Sequence, residues 1–189
     1  MKEFDTSICH AGAPKLTAEE TVLVGAGGGL KNVFLHLEGA PKSAGPNEPA
    51  VLDQVHCRYV PHVLGVTAGQ RLVVKSSDAT MHNVHLIADK NPAANFGMTA
   101  AGQEKTLTFT QPETIRVKCD VHPWMTAYVI VCENPFFAVS GDDGTFEMKD
   151  LPPGEYKLVA WHELYGRLEQ PISVADHKAA DATFEYKEP

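Results

Sequence analysis

Apolar and polar positions alternate in short runs along most of the chain, and few runs exceed eight residues before a turn signal interrupts them. Residues 30–38 set Val33, Leu35 and Leu37 against Phe34, His36 and Glu38, the period of two of a strand whose two faces differ. Residues 63–66 and 72–75 flank Thr67-Ala68-Gly69-Gln70, which predicts a hairpin with glycine in its turn. Further strands are expected at 82–87, 105–110, 114–118 and 127–132, then at 138–139, 145–148 and 156–162. Turns fall at Gly141-Asp142-Asp143-Gly144 and Leu151-Pro152-Pro153-Gly154. No stretch keeps a helical period, so the expected class is all-β, with sandwiches as the architecture. Residues 39–49 and 89–102, rich in Pro, Gly, Ser, Asn and Ala, are expected as loops, the first as a domain boundary.

Hydrophobic residues make up 43% of 189, enough for a buried core. Lys and Arg total 16 against 24 Asp and Glu, a formal charge of -8 with no basic run, which argues against nucleic acid and suits a partner with a basic docking patch. No run approaches the roughly 18 to 20 apolar residues of a membrane helix, so the chain is not expected to span one. Its first residues lack the apolar core of a secretory signal.

The densest chemistry is Cys119-Asp120-Val121-His122-Pro123-Trp124-Met125, a CxxHxxM loop between two expected strands. Thiolate, imidazole and thioether are donors that suit copper, and two His, one Cys and a weak axial Met form the donor set of electron-transfer copper sites. The second imidazole has to come from a distant strand, and His82 in Met81-His82-Asn83-Val84-His85 is the candidate. His85 falls on the opposite face of a regular strand and reads as a hydrogen-bonded or surface histidine. A structural zinc site on Cys119, His122 and His82 is an alternative that leaves Met125 without a role.

The CxxHPxM loop with an aromatic before Met, together with His82-Asn83-Val84-His85, Val66-Thr67-Ala68-Gly69-Gln70 and Thr106-Leu107-Thr108-Phe109, resembles the amicyanins, small blue copper proteins of the cupredoxin class. The resemblance covers roughly residues 50–132. It implies a Greek-key β-sandwich over residues 49–133 and one copper, cycling between Cu(I) and Cu(II), on His82, Cys119, His122 and Met125. It also implies that Asn83 braces the ligand loop. Met81 stands where amicyanins carry proline, which leaves Met81 and Met98 as alternative thioethers. The implied role is a one-electron carrier and not an enzyme, periplasmic or extracellular with its signal removed. Its partner would be a redox protein such as a cytochrome or a copper or quinone enzyme. A copper chaperone or store is the alternative, although the five Met form no Met-rich tract.

With Cys119 as a ligand and Cys132 in the apolar run 128–132 read as a small buried hydrophobe, Cys9 and Cys57 are the expected disulfide. Such a bridge implies an oxidising compartment. His56 and His62 around Cys57 are expected to belong to a strand or turn segment. The Asp-Gly-x-Phe turn at 143–146 and the Leu-Pro-Pro-Gly-x-Tyr run at 151–156 resemble carboxypeptidase regulatory-like, transthyretin-like β-sandwich modules. Since 134–189 is short for such a module, a second small β-sandwich is expected from residues 11–45 and 134–189 together, with the copper unit inserted between them.

Overall fold

A computed structural model describes Cys9, residues 20–176 and residues 178–187; the expectations that fall on residues 11–19 lie outside them. The described residues form an all-β fold of three sheets. The strands are β1 (Phe34–Glu38), β2 (Ala50–Gln54), β3 (Tyr59–Val60), β4 (Val63–Thr67), β5 (Arg71–Ser76), β6 (His82–Ile87), β7 (Ala94–Met98), β8 (Glu104–Thr108), β9 (Glu113–Lys118), β10 (Thr126–Cys132), β11 (Phe137–Val139), β12 (Gly154–His162) and β13 (Gly166–Val174).

Two sheets face each other across the main core. One runs β4-β10-β9-β6-β7 and the other β3-β2-β5-β8. Each contains one parallel pair, β10 with β4 and β2 with β5, and the remaining neighbours are antiparallel. The core between them is made by the inward residues of the alternating strands: Leu52, Leu72, Val74, Val84, Leu86, Ile115, Val117, Ala127, Val129 and Val131. The third sheet runs β11-β1-β12-β13, so the strand at Phe34–Glu38 pairs with segments more than a hundred residues further on and not with the first two sheets. Its own apolar side gathers Val33, Leu35, Leu37, Leu158 and Ala160, with Phe146, Tyr156, Phe184 and Tyr186 packed over them.

The third sheet leans on the back of the β4–β10 pair. Phe34, Val63, Ile130 and Cys132 are buried there, with Tyr128, Phe137, Val139 and Trp161 around them. β10 is therefore apolar on both faces: Ala127, Val129 and Val131 turn to the main core, while Tyr128, Ile130 and Cys132 turn to the third sheet. A strand buried on both sides reads as a continuous apolar run instead of an alternation. Gly65 lets the sheets approach, because a Cβ there would lie 2.8 Å from the Phe34 ring and closer still to that of Phe137.

Three local expectations are corrected. Residues 63–66 and 72–75 are strands, but β4 and β5 belong to opposite sheets. The turn between them, closed by Gln70 N–H donating to Thr67 C=O at 2.8 Å with Gly69 at φ 89°, carries the chain across the sandwich and makes no hairpin. The expected loop 89–102 contains β7, which pairs with β6 from His82↔Met98 to Leu86↔Ala94; its small and polar residues conceal an edge strand with little apolar signal. Residues 145–148 form no ladder, though Phe146 and Met148 pack on the third sheet's core.

Candidate metal centre

The ligand loop 119–125 is the connection between two paired strands. β9 ends on Lys118 and β10 begins on Thr126, and these two residues are ladder partners. Across the base of the loop Cys119 N–H donates to Met125 C=O at 3.2 Å, and Met125 N–H donates to His122 C=O at 2.9 Å. The loop is thus closed by its own backbone bonds. Cys119 and Met125 point inward and are buried, while His122 is half-buried at the rim.

β6, next to β9 in the same sheet, brings His82 to the loop. Its side chain is fully buried, on the same face as Val84 and Leu86. The Nδ1 atoms of His82 and His122 face each other at 3.0 Å, and Cys119 Sγ lies 3.8 Å from His122 Nδ1. Ligand atoms of all three residues fall within 4.8 Å of one another. A single ion can bridge them, since zinc, for scale, sits about 2.0–2.1 Å from nitrogen and about 2.3 Å from sulfur. The donor chemistry and the spacing fit a first-row transition metal, and copper best among them.

Neighbouring groups set the state of each donor. His82 Nε2–H donates to Asp78 Oδ2 at 2.8 Å, and a carboxylate can only accept, so Nε2 carries a proton and Nδ1 is the nitrogen turned to the loop. Burial pushes the Cys119 thiol up, but hydrogen bonds from His82 and from the backbone N–H groups of Asn83, His122 and Val121 outweigh it and hold the thiol below its ordinary range. The sulfur receives Asn83 N–H at 3.4 Å and His122 N–H at 3.3 Å. For His82, burial alone would lower the pKa, yet its bonds to Cys119 and Asp78 raise it. His122 is lowered, by burial and then by the charge of His82.

Asn83 ties three segments together. Its Oδ1 accepts Asp120 N–H at 3.1 Å, and its amide donates to Asn95 Oδ1 at 2.5 Å and Phe96 C=O at 3.4 Å on β7. His85 sits on the other face of β6 from His82 and pairs with Asp120 at 3.0 Å. Met81 is exposed just before the strand. Met98 is buried opposite His82 in the ladder, and its sulfur takes an N–H from Gln54 at 2.9 Å.

Two features escaped the sequence. Asp78 lies four residues before His82 in a serine-rich turn, with nothing in its spacing to mark it. Its carboxylate accepts His56 N–H at 2.7 Å and Cys57 N–H at 2.8 Å as well as the His82 ring. His56 and Cys57 both hold positive φ, 51° and 55°. Cys57 is joined to Cys9 by a disulfide, and that bridge lies against the centre: both of its sulfurs come within 4.8 Å of a His122 nitrogen. Cys132 is buried behind β10, and burial pushes its thiol up to about 12.

Residues 50–132 match the family described as copper binding proteins, plastocyanin/azurin family. Among solved structures, the chain is similar to amicyanin, in a variant in the Cu(I) state, at 25% identity over 52% of this chain and 98% of that one, with a TM-score of 0.41. An oxidised amicyanin variant gives 26% identity with the same coverage and TM-score. A Cu-containing nitrite reductase (NirK) from Thermus scotoductus SA-01 gives 21% identity and a TM-score of 0.40 over 51% of this chain, which spans 25% of the reductase. No curated protein matches the sequence.

Proposed function

We propose that the protein is a one-electron carrier built on a single type 1 copper ion held by His82, Cys119, His122 and Met125. The observation that carries this reading is the closure of the loop onto β6: two imidazole nitrogens 3.0 Å apart beside a hydrogen-bonded cysteine sulfur, with Met125 buried at the end of the same loop.

Copper, when bound, supplies the Cu(I)/Cu(II) couple. The chain's own residues do the rest. Asp78 fixes the ring of His82, Asn83 fixes the loop against β6 and β7, and the two N–H groups on Cys119 Sγ draw charge from the sulfur and so tune the potential. A loop closed by its own backbone bonds moves little when the charge at its centre changes, which keeps the reorganisation cost of electron transfer low. His122 is the exit for the electron. It is the half-buried ligand, and the Trp124 ring lies tilted against it at the surface, centroid to centroid 5.2 Å. Exposed Val121, Trp124 and Met81 form an apolar rim for transient docking, and the net charge of -8 suits a basic redox partner, such as a cytochrome or a copper or quinone enzyme.

The Cys9–Cys57 bridge supports a periplasmic or extracellular setting. The third sheet, with its Asp-Gly-x-Phe and Leu-Pro-Pro-Gly-x-Tyr turns, is a carboxypeptidase regulatory-like module in this reading and supports or anchors the copper domain. The test is to add Cu(II) and record visible and EPR spectra of the wild type and of Cys119→Ser. An intense thiolate-to-copper charge-transfer band, bleached by reductant, restored by oxidant and absent in the variant, is the expected result. A colourless protein that prefers zinc, or one that passes Cu(I) to an acceptor without redox cycling, would refute the carrier.

A further inference from the structure

We infer that the Cys9–Cys57 disulfide masks a second metal site, and that its reduction frees a Cys9, Cys57 and His122 donor set that takes Cu(I). The sulfurs of both cysteines and a ring nitrogen of His122 already lie within 4.8 Å of one another, and the Cys57 sulfur also lies within 4.8 Å of a ring nitrogen of His82 and a carboxylate oxygen of Asp78. The bridge therefore forms part of the wall of the centre. As a disulfide its sulfurs are poor donors. As thiolates they are the soft ligands that select Cu(I), and an imidazole completes the set.

Cys57 is held by more than the S–S bond. Its N–H donates to Asp78 Oδ2 at 2.8 Å, and its C=O accepts the indole N–H of Trp124 at 3.1 Å. The turn around it is closed by paired Val55 and Arg58 backbone bonds, at 2.9 and 3.1 Å. After cleavage the Cys57 sulfur stays beside His122, and Cys9 is the partner that adjusts.

The chemistry balances with a dithiol donor. Two electrons and two protons pass from the donor to the bridge, the Cys9–Cys57 S–S bond breaks into two thiols, and the donor closes its own disulfide. Cu(I) then displaces the two thiol protons. The conditions that open the bridge also keep copper as Cu(I), so the soft site appears together with the soft ion. The site shares His122 with the centre of the proposed carrier but does not rest on that reading, because it needs neither Cys119 nor Met125.

The test uses the full chain carrying Cys119→Ser, which removes the first centre's thiolate. The protein is reduced with dithiothreitol, freed of it by anaerobic gel filtration and titrated with Cu(I) against a competing chelator. Far-UV circular dichroism reports the fold, and a thiol count reports the bridge. The expected result is two additional thiols with an unchanged spectrum. One equivalent of Cu(I) should then bind roughly a hundredfold or more tighter than to the oxidised form, since loss of a single contact that supports a ligand already costs 10–100-fold. X-ray absorption should show sulfur ligation, and the added substitutions Cys9→Ser and Cys57→Ser should abolish the binding. Equal Cu(I) affinity in both redox forms, preference for zinc over Cu(I), or a bridge that opens only when the protein unfolds would overturn the inference. Each of these readouts is independent of the blue-copper spectrum of the wild type.

Discussion

Asp78 offers the sharpest test of how the centre is built, because one carboxylate holds three donors from two segments. Oδ1 takes His56 N–H, at an exposed site where water can replace it, and Oδ2 takes both Cys57 N–H and His82 Nε2–H, which are shielded. In Asp78→Ala the two shielded donors lose their acceptor, at about 1–3 kcal/mol each. The expected loss of stability is therefore about 2–6 kcal/mol. Asp78→Asn behaves differently. Its carbonyl can stand where Oδ2 stood and keep both shielded bonds, while its NH2 group faces the exposed His56 N–H. What is lost is the assistance of the charge, which roughly doubles the strength of such bonds, so about 1 kcal/mol is expected. Urea unfolding of the metal-free, disulfide-intact protein, followed by the fluorescence of Trp124 and Trp161, measures both. Copper affinity should follow the same order and fall by roughly 10–100-fold in Asp78→Ala. A loss below about 0.5 kcal/mol for the alanine variant, the range of an ordinary surface change, would refute the argument. So would equal losses for alanine and asparagine.

Three other perturbations probe separate parts of the molecule. Gly65→Ala drives a methyl into the Phe34 and Phe137 rings, and overpacking of that kind should cost about 1–3 kcal/mol in urea unfolding while leaving the ligand-loop spectrum unchanged; an unperturbed stability would show that the third sheet does not press on β4. Met125→Ala should cost about 2–5 kcal/mol, as deletion of a fully buried side chain, and should alter the copper spectrum, whereas exposed Met81→Ala should stay within about 0.5 kcal/mol and leave the spectrum alone; the reverse pattern would make Met81 the axial donor. On acidification, stability should fall in two windows, read as the melting temperature against pH. Burial depresses the pKa of His162, so the unfolded chain takes up that proton first and stability drops below the ordinary histidine value of 6.5. Burial pushes Glu163 up, but its bond to His62 outweighs this and holds the carboxylate below its ordinary value. Its contribution is therefore full above pH 4.5 and lost as the pH falls through the lowered value, where Glu113, Asp120, Asp143 and Glu169 are lowered too, and Glu163→Gln should shrink that lower step; a variant with an undiminished step would refute the assignment.

What the sequence disclosed and what it hid follow from the range over which each kind of information acts. The loop 119–125 was legible because its donors lie within seven residues between two strands of clear period. His82 was legible because it opens a strand with its own alternation. The three sheets were legible as an all-β class but not as an arrangement. Phe34, Ile130 and Cys132 carry no mark to say that the backs of β1 and β10 meet, since apolar residues on both faces of a strand look like one run. β7 was hidden for the opposite reason: at the sheet edge beside β6, Asn95 and Gly97 satisfy a ladder without supplying an apolar stripe. Asp78 was hidden because its role depends on a turn in which two consecutive non-glycine residues, His56 and Cys57, adopt positive φ, an uncommon geometry. The same turn brings the Cys9–Cys57 bridge to His122. Pairing of the two cysteines could be anticipated by setting Cys119 and Cys132 aside, but the place of the bridge at the metal centre could not. That placement links the bridge to the candidate centre through one carboxylate, Asp78, which takes Cys57 N–H and the His82 ring, and one imidazole, His122, which lies within 4.8 Å of both bridge sulfurs.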